Sequence, residues 1–116
     1  MRFLCLLHFD QAEMNALDAA ELAQMDREAE AYDARLMASG HYVTALALAA
    51  PQSAVLVRSR DGVVSSTDGP FAETKEQLGG FYLAEASDLD DALAIAGRIP
   101  GARCGSVEVR PVMALP

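Results

Sequence analysis

Along this chain the apolar positions switch from a spacing of two to a spacing of three and four and back, twice over, and that order leaves few folds open. Phe3-Leu4-Cys5-Leu6-Leu7-His8-Phe9 is a short apolar run of the length of a buried strand. Asp18 with Glu21 three residues later has the spacing of a capping box that opens a helix. Leu22, Met25, Ala29, Tyr32 and Leu36 then recur on one helical face, and Gly40 after Ser39 supplies the stop. Asp26, Glu28, Glu30 and Asp33 fall largely off that stripe and read as a solvated face.

Residues 42–48 and 54–60 are rich in Val, Leu, Thr and Tyr and read as strands, with Pro51 between them. Asp61-Gly62 is a two-residue hairpin signal, because both central positions of a type I′ turn need positive φ, and Val63 to Thr67 forms the return strand. A polar loop follows, with Thr74 to Leu78 as one helical turn. Phe81 to Glu85 is a further strand. Ser87 or Asp88 caps a second helix, on which Leu89, Ala92, Leu93 and Ala96 are apolar at helical spacing. Pro100 ends that helix, and Ser106 to Val112 alternates as a half-buried strand. With the hairpin set aside the order is βαββαβ, an α+β, ferredoxin-like arrangement with both helices on one face of an antiparallel sheet. A length of 116 residues suits one domain over residues 1–116, with a composition, 52% hydrophobic and 22% charged, that is globular. The bare sheet face is best covered by a second copy, so a homodimer is expected.

Period-two alternation predicts what that face carries. Phe3, Cys5, Leu7 and Phe9 form the more apolar set and belong under the helices. His8 then stands with Leu4 and Leu6 on the open face, joined by Arg58, Arg110 and Tyr82. An apolar lining with a few polar groups is the make-up of a ligand pocket.

A net charge of −8 argues against a nucleic-acid partner, which needs a basic stripe. It does not oppose a small anion held by local arginines. Cys5 and Cys104 make neither a metal nor a disulfide pattern, and no cofactor is implied. The run Phe3 to Leu7 is too short for a membrane span and lacks the cleavage site of a signal peptide, so the cytoplasm is the expected compartment.

Asp68-Gly69-Pro70-Phe71-Ala72-Glu73-Thr74-Lys75-Glu76 combines turn chemistry with dense charge, and Lys75 is the only lysine among nine basic residues. Phe71 would anchor this loop in the core, and Glu73 and Glu76 bracket Lys75. The stretch, continued through Gln77-Leu78-Gly79-Gly80-Phe81-Tyr82, resembles the signature of DGPF-domain proteins, a branch of the YCII-related family. The resemblance extends to the opening strand, Arg60-Asp61-Gly62, and the closing Gly105 to Val112. It implies a ferredoxin-like fold whose open faces pair in a dimeric α/β barrel. It also implies a setting near bacterial extracytoplasmic-function sigma factors. In the wider family it implies a His–Asp dyad and muconolactone-type substrates. Neither of this chain's histidines, His8 and His41, matches the motif of that dyad.

The first functional reading is a non-catalytic binding or regulatory module, dimeric and cytoplasmic. The second is a small cofactor-independent enzyme acting on an anionic organic molecule. In it His8 shuttles the proton, Asp68 orients it or acts as base, and Arg58, Lys75, Tyr82 and Arg110 hold the ligand. In the third, the polar motif only builds the dimer.

Overall fold

The computed structural model describes residues 1–69 and 75–114. Its elements are β1 (Arg2–Asp10), α1 (Gln11–Asn15), α2 (Ala19–Ala38), β2 (Tyr42–Ala47), β3 (Val55–Arg60), β4 (Val63–Asp68), β5 (Glu76–Glu85), α3 (Leu89–Gly97) and β6 (Gly105–Pro111), with 3₁₀ turns at Pro51–Ser53 and Pro100–Cys104. Four strands form one sheet in the order β2-β5-β1-β6, every neighbour antiparallel. The fold is α+β, and this order is compatible with the ferredoxin-like arrangement.

The helices form where the caps allow. Asp18 accepts the amide of Glu21 at 2.8 Å while the Glu21 carboxylate takes the Asp18 amide at 3.2 Å, a complete capping box at the start of α2. Asp88 accepts the amide of Asp91 and starts α3. No helix among the described residues is long and apolar enough to cross a membrane.

Alternation sets the core. Phe3, Cys5 and Leu7 of β1 and Tyr82 and Ala84 of β5 are buried under Tyr32 and Leu36 of α2 and Ala92, Ile95 and Ala96 of α3. Tyr32 donates its hydroxyl to the carbonyl of Ile95 at 2.6 Å, which fixes α2 against α3 without leaving a buried polar group unpaired. Leu4, Leu6, Phe81 and Leu83 point the other way and stay half-exposed, with Leu46 59% exposed beside them. Among the described residues no helix covers that face of the sheet.

The helical turn expected over Thr74 to Leu78 gives way to strand. Glu76, Gln77 and Leu78 open β5, opposite Asp10, Phe9 and His8. Pairing with the long strand β1 satisfies these backbone groups at once, whereas a single helical turn carries a costly nucleus for little return. Thr74, Phe71 as loop anchor and Glu73 as a partner of Lys75 lie outside the described residues.

β3 and β4 form a separate two-stranded sheet joined by the predicted turn, with Asp61 at φ 51° and Gly62 at φ 78°. The hairpin is exposed on both faces except for half-buried Leu56; Val55, Val57, Val63 and Val64 are all more than half exposed. The radius of gyration is 16.1 Å. A chain of this length packed into one ball would have about 13 Å. Arg58 therefore belongs to a projecting arm, and the expectation that it shares the open face of the main sheet is corrected.

Phe3 is 1% exposed. Phe3→Ala should cost about 3–5 kcal/mol in urea unfolding, from lost transfer and a cavity that cannot fully collapse. A change below about 1 kcal/mol would show that β1 is not the seat of the core.

Candidate functional site

Two surfaces bring polar groups together. The first is the open face at the β1–β6 pair. Register places His8 opposite Ser106 and Leu6 opposite Glu108, so Glu108 reaches diagonally to the imidazole. His8 Nε2 donates to Glu108 Oε1 at 3.1 Å, and Arg110 Nε lies 3.7 Å from Glu108 Oε2. Beside them Ser106 donates to Glu76 Oε1 at 2.6 Å. His8 and Arg110 thus share the expected face and are joined through Glu108. No hydrogen bond or ion pair joins His8 to Asp68 among the described residues. Asp68 ends β4, exposed and opposite Val55, in the hairpin's own sheet.

Lys75 has a different partner. Its ammonium lies 3.3 Å from Asp10 Oδ2. Asp10 is 4% exposed and also accepts the amides of Ala12 and Glu13, which starts α1. Burial alone would raise the Asp10 carboxyl. The Glu13 amide, the Lys75 ammonium and the Ala12 amide outweigh it and hold the group below its ordinary value. The lysine of the polar motif therefore fastens the start of β5 to the end of β1.

The second surface is a cleft of about 450 Å³ that runs from the helix side of the sheet around the edge at β2. Its apolar wall includes Phe9, Met14, Met25, Phe81 and Ile99, and its polar groups are Gln11, Asp26, Asp33, Gln77 and Tyr82. The floor is shaped by glycine. A Cβ at Gly79 would meet one edge of the Phe9 ring at 2.2 Å, and one at Gly101 would meet the other edge at 2.9 Å. Only residues without side chains leave the ring in place there. Gly79 is the extra residue of a bulge, since Leu7 pairs with Gly80 and His8 with Leu78.

Tyr82 belongs to this second surface. It is opposite Cys5 in register and 8% exposed, so it faces the helices instead of the open face expected for it. The register itself decides this: Tyr82 shares a face with Gly80 and Ala84, whose small side chains leave room for its ring under α2. Its hydroxyl donates to Asp33 Oδ1. Burial first, then the bond to Asp33 and its charge, push the Tyr82 phenol well above the ordinary tyrosine value.

The sequence pattern puts Asp33 on a solvated helix face, whereas the structure puts it in the wall of the cleft. Its signal is nevertheless present, because residues 26, 29 and 33 recur at steps of three and four beside the apolar stripe. Met25 and Ala29, members of that stripe, line the cleft instead of entering the core. Asp10 also had a signal, as Glu13 follows it at the same spacing as Glu21 follows Asp18.

Two titrations test this geometry. Asp10 has a depressed folded pKa, so its stabilisation is present above the unfolded value of about 3.9 and is lost as pH falls through the folded one. Lys75→Ala should therefore raise the midpoint of acid unfolding, followed by circular dichroism; an unmoved midpoint would show the pair to be idle. Tyr82 has a raised folded pKa, so its stabilisation is present below the unfolded value of about 10 and fades as pH rises through the folded one. In Asp33→Asn, tyrosinate absorbance should appear at lower pH than in the wild type, while burial still holds the phenol above the ordinary value.

The matching family model is that of the YCII-related domain, over residues 1–116. An uncharacterized protein of Rhizobium meliloti (strain 1021) is 34% identical over 114 residues, covering 97% of this chain and 92% of that one. Matched by that family model along its whole length and by a relative over nearly all of it, the chain belongs to the YCII-related family.

Proposed function

We propose that the protein is a small-molecule-binding module that works as a homodimer, two copies pairing the sheet faces their helices leave bare and so closing an α/β barrel. The observation that carries the binding reading is the cleft. Its volume of about 450 Å³, its mainly apolar wall and its few polar groups match the make-up of small-ligand sites. The bare face supports the dimer, because Leu4, Leu6, Leu46, Phe81 and Leu83 form a contiguous apolar set with no helix over it among the described residues. Leu46 and Phe81 also line the cleft. A second copy on that face would sit at the cleft's mouth, coupling ligand to assembly.

A second reading has its own observation. The His8–Glu108 bond at 3.1 Å gives a half-exposed imidazole an orienting carboxylate, the arrangement general acid–base chemistry uses, with Arg110 alongside for an anionic substrate. Glu108 takes the place proposed for Asp68 in that scheme.

Light scattering on the eluting peak should give twice the chain mass for the wild type, and Phe81→Asp should give the chain mass with secondary structure intact. A monomeric wild type at tens of micromolar would remove the dimer. For the ligand, a thermal-shift screen of small organic compounds should yield hits in the wild type that Ala29→Phe, which puts a ring into the cleft from α2, abolishes. Hits untouched by that change would place binding elsewhere.

A further inference from the structure

The cleft wall carries the Asp33 carboxylate, which has no ion-pair partner among the described residues. Asp33 is half-buried, and among the described residues its one hydrogen-bond partner is the Tyr82 hydroxyl, on Oδ1. Among the described residues it has no ion-pair partner, although Asp10, Glu28, Glu85, Asp91 and Glu108 each have one. One phenol uses one of roughly four acceptor positions on a carboxylate. The remainder lies at the wall of a space lined by Phe9, Phe81, Met14 and Met25. Asp26 adds a second carboxylate to the lining, and among the described residues no lysine, arginine or histidine reaches it.

A carboxylate at the wall of an apolar cleft, with acceptor positions to spare, is a ready partner for a cationic group that enters the cleft. Aromatic rings and thioethers favour the apolar body of a ligand, and rings also attract a cation through their faces. We propose that the cleft takes an organic monocation, an ammonium carried on a compact apolar or aromatic body, with the ammonium on Asp33 and the body against Phe9, Met14 and Met25. This rests on the reading of the cleft as a ligand site. It differs from the anion expected of the arginines, since Arg58 stands on the hairpin and Arg110 on the opposite face of the sheet.

Three probes of one shape separate charge from fit: benzylamine, protonated at neutral pH, benzyl alcohol and benzoate, each titrated calorimetrically into the full chain. Benzylammonium should bind about tenfold or more tightly than benzyl alcohol, and benzoate more weakly than either. Amide shifts of Gly79, Gly80 and Tyr82 in heteronuclear spectra should report the site. Asp33→Asn, close to isosteric, should bring the amine-to-alcohol ratio near one. Asp26→Asn, on the exposed rim, should lower it about two- to threefold and guards against misfolding of the first variant. Equal binding of all three probes at the cleft, or a preference that survives Asp33→Asn, overturns the cationic assignment and leaves the cleft as a binding site. Absence of all three from the cleft overturns the binding reading as well.

Discussion

A sheet of four strands has two faces, and here α2 and α3 both pack on the same one. That constraint organises the molecule. In β1 the alternation of Phe3, Cys5 and Leu7 with Leu4, Leu6 and His8 is strict, and because β1 is paired on both sides it imposes its facing on β5 and β6. The helices dock where the more apolar set lies, and their caps fix where they begin. On the other side, from Leu4 to Arg110, no helix among the described residues lies over the sheet.

Much of this could be read from the residues. The capping box at Asp18, the type I′ turn at Asp61-Gly62 and the order of strands and helices rest on local chemistry that tertiary contacts had no cause to override. His8 and Arg110 share the face that alternation assigns to them. The failures have a common physical origin. Glu76 to Leu78 carry no strong pattern, so their state was decided by a neighbouring strand distant in sequence. Tyr82 follows two glycines and a bulge, features that shift register and hide which side is which. Asp33 looked like one charge among several on a polar helix face, and only the packing of a tyrosine from β5 singled it out.

The cleft follows from the same choices. Ala45, Ala47, Ala49 and Ala50 along and beyond β2, with Gly79, Gly80 and Gly101, place little volume where larger side chains would have completed the core. The short helix α1, held by the Asp10 cap, brings Gln11 and Met14 over the gap without filling it. Lys75 stabilises that cap from the polar junction. Lys75 thus bears on the cleft indirectly, through the end of β1 that it holds.

The hairpin is built on other terms. Its strands are held mainly by each other, its side chains are almost all in water, and its turn depends on two residues at the tip. An isolated two-stranded ribbon is marginal in water, so its order adds little to the cooperativity of the main body. Exchanges among its outward residues therefore leave the core's packing untouched. In evolutionary terms this is the cheap part of the molecule to change: the arm can be retuned toward a new neighbour, residue by residue, while the sheet and helices continue to fold as before.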